Sequence, residues 1–289
     1  SGTMGNLVAL LTHCGRGDGA IMGDLSHTLL NEAGGAAALG GVYVRAVPNQ
    51  PDGTIDAAQI EAAIPLEDIH HPRIRVICLE NTHNYCGGAV LDAEYTATVA
   101  GIAHRHGAAV HLDGARIFDA AIALGVPASE LAEPADSVMF CISKGLSAPV
   151  GSLLCGSQEF IERARRTRKM VGGGMRQAGV IAAAGIVALE QMVDRLQEDH
   201  DNARLLAEGI AKIPGLGINP DRVHTNLVFF DFLDDRMTAQ EFREALKAEG
   251  VLMLALGPAR LRAVPHYGTT RADIDQTLRK ELIKMADYK

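Results

Sequence analysis

A lysine follows closely on the end of an apolar segment near the middle of the chain. The segment Ser137–Ile142 has the composition of a buried strand, and Lys144 comes directly after Ser143. Lysine is rarely buried because its ammonium group loses hydration in the protein interior. Lys144 is therefore either a strand-end lysine that turns back to solvent, or the amine of a site that needs its charge removed.

Two further features could complete a site with that amine. Asp113 ends the preceding strand-like segment, and the chain opens on Ser1, Gly2 and Thr3 at a predicted helix start. Free N–H groups and the helix dipole at such a start favour a phosphate. A lysine, a strand-end carboxylate and a phosphate cradle together fit pyridoxal phosphate. Taken singly, Asp113 could cap a helix and the Ser-Gly-Thr segment could be an ordinary N-cap.

The elements that must position these residues alternate between short apolar segments and helical segments. Val76–Leu79 is a continuous apolar run, typical of a strand that is buried on both faces. Asp56, with Gln59 three residues later, and Asp92 have the positions of helix N-caps. Strands and helices in alternation predict a mostly parallel sheet, whose ligands bind beyond the carboxyl ends of the strands.

The pattern changes after about Gln158, where a second, smaller part of the chain is predicted. Its elements are one long helix over 178–210, a strand over 227–232, a helix begun by Thr238 with Glu241 at its third position, strands over 251–256 and 261–264, and a helix to the end of the chain. This order predicts a small α+β domain. We divide the chain into a large domain, 1–200, and a small domain, 201–289.

Composition argues against several classes of partner. The 289 residues carry a net charge of -8 without a basic block, so a nucleic-acid partner is not expected. No apolar run approaches membrane-spanning length and no signal peptide is visible, so no membrane partner is expected. Five scattered cysteines without a C-x-x-C pair indicate reduced thiols in a cytoplasmic protein and no zinc or other metal site.

Several segments resemble the low-specificity L-threonine aldolases, which are fold-type I pyridoxal phosphate enzymes of the β-eliminating lyase superfamily. They are SGTMGN, LSH…EAGGAAALGG, LENTHN…GGAVL, HLDGARIFDAA, SVMFCISKGLSAPVGSLL, RKMVGGGMRQAG and RLRAVPH. The resemblance covers nearly the entire chain. It implies an α/β fold of the aspartate aminotransferase-like type, with a mostly parallel central sheet in the large domain. It also implies an N-terminal arm, so we expect further residues upstream of Ser1.

The resemblance assigns cofactor-binding roles to named positions. Lys144 would form the Schiff base, Asp113 would keep the pyridine nitrogen protonated, and His27 would stack on the ring. As a lone histidine, His27 would otherwise be called structural. The remaining cofactor-binding residues implied by the resemblance are Ser1, Gly2 and Thr3 at the phosphate, together with Arg116 and Arg176.

Basic residues are assigned to the substrate carboxylate. Arg116 and Arg262 would grip it, because a guanidinium matches a carboxylate with two parallel hydrogen bonds. Lys169 and Arg176 would reach across a dimer interface toward the phosphate or carboxylate region. Each has a plainer interpretation: a salt bridge from Arg116 to Asp119, an outward-facing strand residue at Arg262, and a basic subunit surface at the other two.

The substrate hydroxyl needs a proton acceptor, which we expect among the histidines. His83 lies just past a strand end, on the ligand edge of the predicted sheet. His70 lies before the same strand, where the family also places a histidine. Position favours His83, the resemblance leaves His70 and His83 open, and His27 is a third candidate catalytic residue because of its place on the ring.

The resemblance therefore implies a lyase that cleaves L-threonine or L-allo-threonine to glycine and acetaldehyde. Its partners would be a small β-hydroxy-α-amino acid and further copies of this chain, in a homodimer or homotetramer with shared active sites. Two alternatives remain open. One is another fold-type I lyase or an aminotransferase, and the other is a catalytically inactive relative that acts as a binding subunit.

Overall fold

A computed structural model of the chain describes residues 1–234 and 237–287. Its first unit, Ser1–Asp194, is a sheet with helices on both faces. The helices are α1 Gly2–His13, α2 His27–Leu30, α3 Gly35–Gly40, α4 Ala57–Ala63, α5 Ala93–Arg105, α6 Ile117–Leu124, α7 Ala128–Ala132, α8 Gln158–Met170 and α9 Gly179–Gln191. The strands are β1 Gly19–Gly23, β2 Tyr43–Val47, β3 Ile74–Glu80, β4 Ala109–Asp113, β5 Ser137–Cys141 and β6 Ser152–Gly156.

The strand order of this sheet is β2-β1-β3-β4-β5-β6. All neighbouring strands are parallel except β6, which runs antiparallel to β5. The predicted mostly parallel sheet is therefore confirmed. The register pairs Glu80 with Asp113, so two acidic residues end adjacent strands at the carboxyl edge.

Side chains from alternate strand positions enter two separate cores. Ile77 and Leu112 point into an apolar cluster that also contains residues of α4, α5, α6 and α7. Val76 and Cys78 point to the opposite face, where they pack with Leu10 of α1. This alternation is the period of a β-strand, and it places α1 over one face of the sheet.

Local capping signals are confirmed where the sequence predicts them. The Asp56 side chain accepts a hydrogen bond from the N–H of Gln59 at 3.0 Å, at the start of α4. Asp92 accepts one from the N–H of Tyr95 at 2.8 Å, at the start of α5. A side-chain oxygen at the N-cap satisfies one of the free N–H groups of the first turn, which is why these helices begin where they do.

The second unit begins at Arg195. It contains α10 Leu196–Ile210, β7 Leu216–Gly217, β8 Val228–Phe232, α11 Ala239–Ala248, β9 Leu254–Ala255, β10 Arg260–Ala263 and α12 Arg271–Asp287. Its sheet has the order β7-β8-β10-β9 with antiparallel pairs, as expected of a small α+β domain. Thr238 and Glu241 form the predicted capping box of α11.

The structure differs from the sequence prediction at three places in this part of the chain. The predicted helix over 178–210 is two helices, because the chain is not helical between Gln191 and Leu196. The two units consequently divide between 194 and 195 rather than between 200 and 201. The strand predicted over 251–256 is paired only at 254–255, and the last two residues of the predicted final helix lie outside the described residues.

Among the helices that the structure describes, none combines the length and the apolar content needed to cross a membrane.

Candidate active site

The carboxyl edge of the large sheet brings Asp113 and Lys144 together. Asp113 ends β4 and is only 4% exposed, and Lys144 lies half-buried in the turn that follows β5. That turn is held by a hydrogen bond from the N–H of Ser147 to the Lys144 carbonyl at 2.8 Å. Burial raises the pKa of Asp113, while the charge of Lys144 and a hydrogen bond from Asn6 oppose the rise. The predicted amine and carboxylate therefore follow neighbouring strands at one edge of the sheet.

Asn6, on α1, holds two buried carboxylates with a single amide group. Its Nδ2 donates to Asp113 Oδ2 at 2.8 Å and to Glu32 Oε1 at 2.9 Å. The second oxygen of Asp113 accepts the N–H of Ala115 at 3.1 Å. Each oxygen of Asp113 thus receives one hydrogen bond and keeps a lone pair for a further donor.

His27 belongs to the same cluster. Its Nδ1 lies 3.1 Å from Glu32 Oε1, and the hydrogen bond to Glu32 raises the pKa of His27, although burial opposes it. One ligand atom each from His27, Glu32 and Asp113 lie within 4.8 Å of one another. The predicted ring-stacking histidine is therefore beside the predicted pyridinium partner.

Glu80 ties two loops of the site together. Its Oε2 accepts the backbone N–H of His27 at 2.6 Å, and its Oε1 accepts the backbone N–H of Asn84 at 2.8 Å. Burial, together with the charge of Asp113, raises the pKa of Glu80 to about 7. Glu80 therefore fixes both the segment that carries His27 and the loop that carries His83.

His83 is 1% exposed, and among the described residues neither ring nitrogen has a hydrogen-bond partner. Burial lowers its pKa to about 4, although the charge of Asp24 opposes this, so its imidazole is neutral at pH 7. The hydroxyls of Ser26 and Thr82 are also buried and unpaired in the part of the chain described. Buried polar atoms normally have partners. These atoms, just past the ends of β1 and β3, indicate a place where a ligand completes the hydrogen bonding.

The start of α1 lies against the end of β5, close to the Lys144 turn. Ser1 is its N-cap and accepts the N–H of Met4 at 3.3 Å. A Cβ on Gly2 would lie 3.0 Å from the sulfur of Cys141, so glycine permits this close approach. The N–H groups of a first helical turn have no partners within the helix, and Gly2 and Thr3 lie in this turn.

Arg116 lies at the same edge of the sheet. Lys169 and Arg176 follow much later in the sequence, after β6. Arg116 is the half-buried N-cap residue of α6, and its N–H reaches the carbonyl of Asn81 at 3.4 Å. Lys169 and Arg176 are exposed, on either side of a glycine turn. That turn approaches the first turn of α1, because a Cβ on Gly173 would lie 2.5 Å from the Met4 sulfur.

One predicted residue lies away from this cluster, and another belongs to the second unit of the chain. His70 is exposed in the turn before β3, with its Nε2 3.9 Å from Asp68 Oδ1. It is thus at the amino end of the strand whose carboxyl end carries Glu80, and the chain itself does not bring it to the site. Arg262 lies in the second unit, on β10, with its guanidinium 6.0 Å from the ring centre of Phe229.

Sequence reasoning missed three residues near this site, Asn6, Glu32 and His111, whereas it named the polar residues from Glu80 to Asn84 as a place where a ligand is expected. Glu80 had a signal, since a carboxylate ends an otherwise apolar strand. His111, whose Nε2 lies 3.1 Å from Asn6 Oδ1, had one too, because it precedes Asp113 by two positions and strand side chains repeat with a period of two. For Asn6 and Glu32 the sequence held no signal of a role at the site, except that each lies in a segment that resembles the aldolases. Their hydrogen-bond partners are distant in sequence.

The residues present fit pyridoxal phosphate. An amine and a buried carboxylate with spare lone pairs lie at one sheet edge, a glycine-containing helix start lies beside them, and unpaired polar atoms line the same edge. The doubly covered parallel sheet with a small antiparallel domain, together with this site, is the architecture of the fold-type I pyridoxal phosphate enzymes.

Solved structures agree with this class. The chain superimposes on a threonine aldolase from Leishmania major with a TM-score of 0.80 at 19% identity, over 99% of this chain and 82% of that one. It also superimposes on a PLP-dependent aminotransferase from Streptococcus suis with a TM-score of 0.73 at 21% identity, over 98% of this chain and 73% of that one. At these identities the comparisons establish the fold.

Sequence comparison then gives the family. The model of the family "Beta-eliminating lyase" matches residues 1–234. Low-specificity L-threonine aldolase 1 of Arabidopsis thaliana is 49% identical over 96% of this chain and 79% of its own length. The low specificity L-threonine aldolase of Escherichia coli K12 is 43% identical over 95% of this chain and 79% of its own length. The chain belongs to the β-eliminating lyase family, in the branch of the low-specificity L-threonine aldolases.

Proposed function

We propose that this chain is a pyridoxal-phosphate-dependent aldehyde-lyase that cleaves L-threonine and L-allo-threonine to glycine and acetaldehyde. The observation that carries the proposal is the carboxyl edge of the sheet, where the buried Asp113 keeps a lone pair on each carboxylate oxygen and Lys144 follows the neighbouring strand β5. The names of the relatives that match most of this chain supply the substrate class.

The roles of the residues follow from their chemistry. Bound pyridoxal phosphate supplies an electron sink for the Cα atom of an amino acid. Lys144 provides the amine that holds the cofactor, and Asp113 accepts the hydrogen bond of its protonated ring nitrogen. Gly2 and Thr3 offer backbone N–H groups to its phosphate, beside Ser1.

Substrate orientation is assigned to the arginines. Arg116, at the carboxyl edge, binds the substrate carboxylate by two parallel hydrogen bonds, with Arg262 as a second ligand of the same group. By fixing the carboxylate, these arginines would orient the substrate so that its Cα–Cβ bond is the one cleaved, with bound pyridoxal phosphate supplying the electron sink.

His83 takes the proton from the substrate hydroxyl. Among the described residues neither of its ring nitrogens has a hydrogen-bond partner, so one is open to the substrate hydroxyl, and burial, which lowers the pKa of His83 to about 4, keeps the imidazole neutral at pH 7. The hydrogen bond to Glu32, by contrast, engages His27 as a donor, which suits a residue that positions the ring. We therefore prefer His83 over His27 and His70 as the base.

The assay is the release of glycine and acetaldehyde from L-threonine and from L-allo-threonine. Lys144→Ala is expected to show no detectable turnover while keeping the circular dichroism of the wild type. Lys212→Ala, an exposed lysine of the second unit, is the matched control and should retain full activity. A Lys144→Ala protein with the wild-type rate would sink the proposal, and release of other products would point to a different fold-type I lyase.

We further propose that the active form is a homodimer or homotetramer. Helix α9 has the sequence GVIAAAGIVALEQ, and its Val180, Ile186 and Val187 are exposed in the single chain. A helix that is apolar all round is normally buried, and a second copy of the chain would cover it. Lys169 and Arg176 then reach the neighbouring site.

Light scattering on Ile186→Glu should give a smaller particle than the wild type. An active wild-type monomer would contradict the proposal.

We place the protein in the cytoplasm. All five cysteines are free, and four of them are buried. Unpaired thiols persist in a reducing compartment. Fractionation of cells that express the tagged chain tests this placement, and recovery with secreted proteins would contradict it.

A further inference from the structure

A line of hydrogen bonds runs behind Asp113, away from the ligand edge. His111 Nε2 lies 3.1 Å from Asn6 Oδ1, and His111 Nδ1 lies 2.9 Å from Ser137 Oγ. Ser137 Oγ is also 2.8 Å from His13 Nε2. Asn6, His111 and Ser137 are each at most 1% exposed. None of the roles assigned above uses this line.

The carboxylates of Glu32 and Asp113 determine which atom is the donor in each hydrogen bond of this line. Both hydrogens of the Asn6 amide point at carboxylate oxygens, of Glu32 and Asp113, so its Oδ1 must be the acceptor for His111. His111 Nε2 therefore carries the hydrogen and its Nδ1 accepts the Ser137 hydroxyl. The Ser137 oxygen in turn accepts the His13 Nε2–H. Every donor in the line points toward Asp113.

Both imidazoles are neutral in this arrangement. Burial lowers the pKa of His111 to about 3 and that of His13 to about 4. The line therefore carries no charge of its own, and it presents a chain of aligned dipoles with the positive end at Asp113. Aligned hydrogen bonds in a low-dielectric interior strengthen one another.

We infer that Asn6, His111 and Ser137 are positioning residues that orient the Asp113 carboxylate as an acceptor for the ring nitrogen of the cofactor. His111 acts by holding the Asn6 amide in the one orientation that donates to Asp113. Without the Nε2–H of His111, the amide oxygen of Asn6 loses its partner, and only the hydrogen bonds to Glu32 and Asp113 hold the amide in place. The inference rests on the proposed function, because it takes the cofactor to be the ligand of Asp113.

The decisive comparison uses two substitutions of one residue. In His111→Gln, the side-chain amide can still donate to Asn6 and accept from Ser137. His111→Leu has a similar volume and can do neither. The measurement is the dissociation constant of pyridoxal phosphate from each purified protein, by fluorescence titration between pH 5 and pH 9.

We expect His111→Gln to bind the cofactor within about threefold of the wild type and His111→Leu to bind about tenfold more weakly, since a hydrogen bond to a charged group contributes on the order of a tenfold effect or more. Asn6→Leu should lose at least as much, and Ser137→Ala should lose less in the same direction.

The pH dependence supplies a second readout. Binding weakens as the pH falls through the pKa of Asp113, and loss of the Asn6 donor raises that pKa, so the midpoint in His111→Leu moves to higher pH. The other groups around Asp113 are unchanged in these variants: Lys144 after β5, His27 and Glu32 on and after α2, and Glu80 at the end of β3.

Val110→Ala controls for a general loss of stability. Val110 lies on β4 beside His111 but in the apolar cluster of the opposite face. The substitution Val110→Ala should lower the melting temperature without moving the pH midpoint of cofactor binding. The inference is overturned if the Gln and Leu variants of His111 bind alike, or if Val110→Ala moves the midpoint as far as His111→Leu. A wild-type protein that binds no cofactor would instead overturn the proposed function.

Discussion

The two faces of the central sheet both have an apolar core, but they differ at their carboxyl edge. On one face, Ile77 and Leu112 join an apolar cluster with the helices α4 to α7. On the other, the same two strands carry Glu80, His111 and Asp113 under α1, each buried and each hydrogen-bonded. Neighbouring residues of β4 thus belong to different environments because successive side chains of a strand point to opposite faces.

This difference separates stability from chemistry. Apolar burial stabilises the sheet from the face that holds Leu112. The opposite face contains buried polar groups, which lower stability unless they are paired and which are useful only if a ligand needs them. We expect substitutions on the two faces to have separable effects, and the four predictions below test that separation in order of decreasing effect.

Asp113→Asn on the polar face should lower kcat/KM for glycine release by about 10²–10³, because it removes one preorganised charge from the site. Its folded fraction should remain that of the wild type. Asp136→Asn is the matched control, since Asp136 is an exposed acid bonded to His104 and lies before β5. Equal losses in the two variants would contradict a special role for Asp113.

His83→Phe should lower kcat by about 10², the lower end of the range for loss of a general base, because a pKa of about 4 makes this imidazole a weak base. Stability should change little, because among the described residues no hydrogen bond to its ring is lost. The same substitution at the exposed His70 should leave kcat unchanged. If His70→Phe lowered kcat and His83→Phe did not, the choice between these two histidines would be reversed.

Leu112→Ala on the apolar face should lower the free energy of unfolding by about 2–5 kcal/mol, because it removes a fully buried side chain and leaves a cavity. Urea unfolding followed by circular dichroism measures this loss. The folded fraction should keep its kcat. A large fall in kcat at full folding would show that the two faces are not independent.

Glu80→Gln should have the smallest effect, and it should depend on pH. The amide has one acceptor oxygen for two N–H donors, so about 1 kcal/mol of stability is lost at low pH. The pKa of Glu80 rises from 4.5 to about 7 in the folded chain, so ionisation is less favourable there than in the unfolded chain. The wild type therefore loses stability relative to the Gln variant as pH rises from about 4.5 to about 7.

Thermal melting of the cofactor-free proteins across this pH range measures the difference. Glu241→Gln is a useful control, because hydrogen bonds from Thr238 lower the pKa of that exposed acid. Because that pKa lies below 4.5, the curves of wild type and Glu241→Gln should run parallel across this range, and the wild type should lose its extra stability only as the pH falls further, through the lowered pKa. Parallel curves for wild type and Glu80→Gln would contradict the burial effect at Glu80.

Short-range features were accessible from the sequence alone. The caps at Asp56, Asp92 and Thr238 depend on partners three residues away, so the sequence pattern contains both members of each pair. The strands that end at Glu80 and Asp113 were likewise predictable, since buried parallel strands have an apolar run followed by polar residues. The helix break before Leu196 was not, because apolar and polar residues alternate there much as they do within a helix.

The amino-acid sequence by itself determined most of the segments that form strands and helices, and it placed an amine and a carboxylate at the ends of neighbouring strands. Only the tertiary structure decided that Asn6 serves Asp113, a residue 107 positions away, and that Glu80 joins the segments of His27 and Asn84. It also decided that His83 is buried at the ligand edge while His70 is exposed at the other end of the same strand. The physical reason is that these contacts depend on how α1 packs across the sheet, and no local pattern records that packing.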